Sequence, residues 1–133
     1  RELISIAMKE YDGRAKKSTI SDIVLEYFKN LSFNEIATSD FGREKIAGLA
    51  KKASKNVYNN EIIAKVFEKA AREISLHIIA LGKNFKTNQK TKVSYIGGVF
   101  RSDYIRELVQ KLNPDIELIS PVYPPQKGAV LLL

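Results

Sequence analysis

Val93-Ser94-Tyr95-Ile96-Gly97-Gly98-Val99-Phe100 is the stretch around which this chain is organised. Val93, Tyr95 and Ile96 read as a short buried strand, because β-branched and aromatic residues favour that conformation. Two glycines follow at once. Residues 103–112 then carry helical spacing, with Ile105, Leu108, Val109 and Leu112 on one face. Ser102 stands at the N-cap, and Asn113-Pro114 stops the helix. A strand, a glycine pair and a helix let a backbone come close to a ligand, since no Cβ intervenes. Ligands of open α/β sheets sit at this kind of strand-end crevice. The same residues also suit a tight turn with no ligand, and the glycine pair alone does not decide between the two.

Beyond that helix, Ile116-Glu117-Leu118-Ile119 reads as a second strand. A helix joins the two strands, so they are expected to be parallel. Pro121, Pro124 and Pro125 make a stiff connection, and residues 126–133 read as a closing helix whose three final leucines should be buried. Residues 93–133 are thus a strand–helix–strand–helix unit.

Residues 1–92 read as a helical region. Leu3, Ile4, Ile6 and Ala7 form a helix that ends before Asp12-Gly13, with Gly13 as the stop. Thr19 with Asp22 resembles a capping box, followed by the stripe Ile20, Ile23, Val24, Tyr27 and Phe28. A short helix is expected over Phe33 to Thr38. Another starts at Arg43 and carries Ile46, Leu49, Ala50, Ala53 and Val57. The longest begins near Glu61 after Asn59-Asn60, with the stripe Ile63, Phe67, Ala70, Ile74, His77 and Leu81. His77, the single histidine, is read as packed and hydrogen-bonded, since no acid or nucleophile is placed beside it.

Composition sets the outer bounds. The 133 residues suffice for one domain with a core, and 44% hydrophobic with 28% charged residues is ordinary globular usage. Cysteine is absent, which excludes a disulfide scaffold and any cysteine-held metal within these residues. That usage fits a cytoplasmic protein. No apolar run is long enough for a membrane span. The opening Arg1-Glu2-Leu3-Ile4 lacks an initiator methionine and reads as cut from something longer. A net charge of +7 raises the question of a nucleic-acid partner. Yet the lysines alternate with acids, as in Lys65, Glu68, Lys69, Arg72 and Glu73, which marks a solvated helix face. The densest run, Lys83, Lys86, Lys90 and Lys92, includes one aromatic, Phe85, and so has no stacking platform. A basic surface also suits anionic substrates such as nucleotides. No metal-ligand spacing and no P-loop occur. Only two strands are credible, and two parallel strands cannot cover both faces and both edges by themselves. The expectation is therefore part of a larger α/β domain.

The order of the motifs adds a family likeness. Tyr11-Asp12-Gly13-Arg14 followed by Ser18-Thr19-Ile20, then Ile96-Gly97-Gly98-Val99-Phe100-Arg101-Ser102, then Pro121 to Pro125 with Gly128-Ala129, runs through nearly the whole chain. This ordered set resembles the BadF/BadG/BcrA/BcrD-type ATPase and N-acetylglucosamine kinase family, within the superfamily of acetate and sugar kinases, heat-shock ATPases and actin. The resemblance implies a mostly helical C-terminal lobe of a bilobal, ribonuclease-H-like enzyme, with about two parallel strands in this chain and the N-terminal lobe absent. It implies ATP and Mg²⁺ as cofactors and puts Gly97, Gly98 and Val99 against the adenosine. Arg14 stands near the nucleotide or, equally, in a salt bridge holding its loop. The phosphate loop and the catalytic aspartate would belong to the N-terminal lobe, so no catalytic residue and no metal ligand is expected here.

The activity so implied is phosphorylation of a hexose or N-acetylhexosamine such as N-acetylglucosamine. The partners would be that sugar, the protein's own N-terminal lobe and a second copy in a homodimer, with no membrane and no nucleic acid. The alternatives are an activator ATPase of the 2-hydroxyacyl-CoA dehydratase or benzoyl-CoA reductase type, against which the lack of cysteine leans, and a basic helical nucleic-acid-binding module.

Overall fold

The computed structural model describes residues 1–83 and 90–130. The described chain is mostly helical, with two parallel strands. It divides into two compact units, Arg1–Phe67 and Glu68–Leu133.

In the first unit, α1 (Glu2–Tyr11), α2 (Thr19–Tyr27), α3 (Phe33–Thr38) and α4 (Arg43–Ser54) are followed by the opening turns of α5 (Glu61–Gly82). Leu3 and Ala7 of α1, Ile20 and Val24 of α2, Ile36 of α3, Leu49 and Ala53 of α4 and Ile63 and Phe67 of α5 are buried, as is Phe28 just past α2. Apolar residues three and four apart place each helix's stripe on its inner face. The caps differ in part from the sequence expectation. Ser18, not Thr19, is the N-cap of α2, and its hydroxyl accepts from the Ile20 N–H at 3.2 Å. Thr19 instead accepts a hydrogen bond from Asn60 Nδ2 at 2.7 Å. A full capping box occurs at Ser32 and Glu35 on α3. Asn60 caps α5, accepting from the N–H groups of Ile62 and Ile63 at 3.0 Å each.

Glu10 is a buried carboxylate of this unit. It accepts from the Ser18 hydroxyl at 2.5 Å, from the Ser21 hydroxyl at 2.5 Å and from the Ser21 N–H at 3.3 Å. Burial pushes its carboxyl up, but the serine hydrogen bonds outweigh burial and hold it below the ordinary value. A charge on α1 thus satisfies the first turn of α2, which favours negative charge.

In the second unit, the rest of α5 is followed by β1 (Thr91–Ser94), a 3-10 turn over Gly98–Arg101, α6 (Asp103–Leu112), β2 (Ile116–Ile119) and α7 (Pro125–Val130). β1 and β2 pair in parallel, from Thr91 with Ile116 to Ser94 with Ile119. Ile105 and Val109 of α6 are fully buried, whereas Leu112, expected on the same face, is exposed. The expected strand shifts by two residues. Tyr95 and Ile96 lie beyond β1, and Ile96 is exposed. The reason lies in the partner: the ladder partner after Ile119 would be Ser120, and Pro121 brings no N–H to continue it. The strand is also only half-buried, since it has one neighbour.

The buried line of α5 also moves. Ile63, Phe67, Ala71 and Ser75 are buried, and Ile74 is half-buried. His77 is exposed rather than packed. Two residues beyond Ser75, it points about 200° round the helix from the buried line. Leu81 is likewise exposed. Lys86 and Phe85 of the basic loop and the three closing leucines lie outside the described residues.

Candidate functional site

The carboxyl ends of β1 and β2 carry the candidate site. The strands end at Ser94 and Ile119, and the next residues are joined through side chains: Tyr95 Oη and Ser120 Oγ share a hydrogen bond of 2.8 Å. After Tyr95 the chain turns outward at Gly97, whose φ of 106° and ψ of 167° are almost closed to any residue with a Cβ. A Cβ built there would meet nothing within 4 Å. The glycine is required by its torsion, and the space over it is open. Gly97, Gly98 and Val99 are all exposed, with Val99 at 52%. Ile96, Val122 and Tyr123 are also exposed apolar groups on the segments that leave the two strands. The Lys127 ammonium lies 4.5 Å from the centre of the Tyr123 ring.

A compact set of side chains fixes this turn. The Tyr95 and Phe100 rings stack with centroids 5.3 Å apart. Arg106, one turn into α6, donates to the Phe100 carbonyl oxygen and to Asp103 Oδ1. Its guanidinium also lies 5.7 Å from the Tyr95 ring centre. One cation therefore holds both ends of the turn, through a carbonyl at residue 100 and a ring at residue 95. Sequence reading missed Arg106, Tyr95 and Ser120. The Asp103–Arg106 spacing of three was a visible helical ion-pair signal, but the carbonyl bond and the ring contact are tertiary.

The structure thus gathers Gly97, Gly98 and Val99 on one exposed turn before α6. Arg14 belongs to the other unit. There its Nε donates to Asp12 Oδ2 at 2.8 Å and its backbone N–H to Asp12 Oδ1 at 3.2 Å. Asp12 is held below the ordinary carboxylate range by that guanidinium. The side chain is engaged in holding its own turn. Among the described residues, no group of three or more histidines, cysteines, aspartates or glutamates could hold a metal ion. No helix among them is long and apolar enough to cross a membrane.

Comparison with protein-family models, with curated proteins and with solved structures finds no match.

Proposed function

We propose that this chain is the adenosine-binding part of an ATP-dependent kinase that phosphorylates a hexose or N-acetylhexosamine. The observation that carries the reading is the turn at Gly97. It stands at the carboxyl end of a parallel strand, it is open, and it requires a residue without a Cβ. A flat base can approach such a backbone closely, and the exposed Ile96 and Val99 offer apolar contact to its face. The motif order described above supports the same reading.

ATP fits this cradle through its adenosine end. The turn offers backbone and apolar surface there, and Asp103 at the first turn of α6 disfavours a phosphate at that helix end. Mg²⁺, when bound, would neutralise phosphate charge, and its ligands would come from the nucleotide and from outside the described residues. The residues of this chain bind and orient. Gly97, Gly98 and Val99 receive the base, and Tyr95, Phe100 and Arg106 hold the turn in shape. Arg14 is assigned to its own loop.

The test is a titration of the chain with ATP, followed by amide NMR. Shifts that saturate and centre on Gly97, Gly98 and Val99 are expected. Shifts centred elsewhere, or none at millimolar ATP, would overturn the assignment. Sugar-dependent ADP release by the complete enzyme then tests the kinase activity itself.

A further inference from the structure

A flat base has two faces, and in the nucleotide reading the Gly97 turn accounts for one. Ile96 and Val99, both exposed, offer apolar contact to that face from the segment that leaves β1. The other face calls for a wall on a second segment at the same end of the sheet. β1 and β2 are parallel, so the chain leaves both strands at that end. The Tyr95–Ser120 hydrogen bond of 2.8 Å ties the two departing segments together, one residue past the last ladder pair, Ser94 with Ile119.

On the β2 side, Tyr123 stands three residues beyond Ser120. Its residue exposure is 47%, and its neighbour Val122 is more exposed still. A single exposed tyrosine is ordinary on a protein surface. Tyr123 differs in how it is held. It precedes Pro124, which confines its backbone to extended conformations. The Lys127 N–H donates to the Pro124 carbonyl oxygen at 3.0 Å and closes the turn into α7. The ammonium of the same lysine lies over the ring, 4.5 Å from its centre. A cation on one face leaves the opposite face for stacking. A ring on so stiff a segment gives up little freedom when a ligand stacks on it.

We infer that Tyr123 is the second wall of the nucleotide seat and stacks on the purine face turned away from the Gly97 turn. Lys127 keeps the far side of the ring. The inference rests on the nucleotide reading and adds to it: the base is gripped between the segments that leave β1 and β2, not laid on one of them.

The probe is adenosine, which carries no phosphate and so leaves the positive field of the chain out of the measurement. The whole chain, with its tyrosine rings isotopically labelled, is titrated and followed by NMR. The Tyr123 ring protons are expected to move upfield in step with the amides of Gly97, Gly98 and Val99, with one common dissociation constant. This shift is read in the parent and needs no variant. Tyr123→Ala should weaken adenosine binding about fivefold or more, while Tyr123→Phe, which keeps the ring, should stay within about twofold of the parent. Undisturbed amide signals from β1 and β2 in both variants show that the sheet is intact. Saturating shifts at Gly97, Gly98 and Val99 with an unmoved Tyr123 ring would overturn the inference and leave the Gly97 seat standing. Full affinity in Tyr123→Ala would do the same. A loss in Tyr123→Phe equal to that in Tyr123→Ala would also overturn it, since the hydroxyl and not the ring would be the contact. No shift at the three amides at millimolar adenosine would overturn the nucleotide reading and this inference together.

Discussion

At the scale of single residues, Gly97 and Glu10 carry costs of different kinds. Gly97 occupies a torsion region that side chains avoid, in open space. Gly97→Ala therefore meets no clash, and its cost is torsional, about 1–3 kcal/mol. A urea titration should show that loss with an unchanged slope. An alanine variant as stable as the parent would mean that the turn relaxes freely. Glu10 is the electrostatic counterpart. Its carboxyl is held below the ordinary value, so its charged form is bound more favourably in the folded chain than in the unfolded one. The stability this contributes is complete above the unfolded pKa and is lost as pH falls through the folded pKa. Glu10→Gln should flatten the acid limb of a melting-temperature profile in that window. It should also cost about 1.5–3 kcal/mol near neutrality, the range for hydrogen bonds to a charged group. An acid limb of unchanged steepness in the variant would show that Glu10 is not the group responsible.

At the scale of elements, the contact of α2 with α4 shows why helix–helix packing cannot be read from stripes alone. A Cβ on Gly48 would stand 2.1 Å from the Tyr27 hydroxyl oxygen. That hydroxyl donates to the Lys45 carbonyl oxygen at 2.8 Å. Alanine is the better helix former by about 1 kcal/mol, but here it must displace the ring and break that bond. Gly48→Ala is expected to destabilise the parent by about 1 kcal/mol net. In a Tyr27→Phe background the oxygen and its hydrogen bond are gone, though the ring Cζ still stands 3.0 Å away and must shift slightly, so the same change should cost clearly less. Equal effects in both backgrounds, measured by a double-mutant thermal melt, would refute the contact. Helix positions were legible because period and caps are local: α3, α4 and α6 lie where the spacing of Phe33, Arg43 and Asp103 puts them. The limits of β1 were not, since they depend on where β2 meets Pro121. The buried line of α5 was misjudged for a similar reason. Ala71 and Ser75 are small and half-polar, and only the neighbours of α5 show that they face inward. At the site, the glycines were legible as a turn, but the Arg106 bracket joins residues through tertiary contacts that no periodicity reports.

At the scale of the whole molecule, the net charge of +7 and the seat at Gly97 make separable contributions to nucleotide binding. A seat that receives adenosine through backbone and apolar contact has little salt dependence. A diffuse positive field attracts ATP more than adenosine and is screened as the Debye length shortens from about 10 Å at 0.1 M to about 3 Å at 1 M salt. Mg²⁺ lowers the charge of ATP and so weakens the pull of that field. ATP is expected to bind more tightly than adenosine at low salt, with the ratio falling toward one as salt rises or Mg²⁺ is added. Both ligands should shift the same amides, at Gly97, Gly98 and Val99, under every condition. A preference for ATP that survives 1 M salt would demand a dedicated phosphate site on this chain and would remove adenosine from the centre of the reading. Loss of all binding at high salt would reduce the interaction to the field alone.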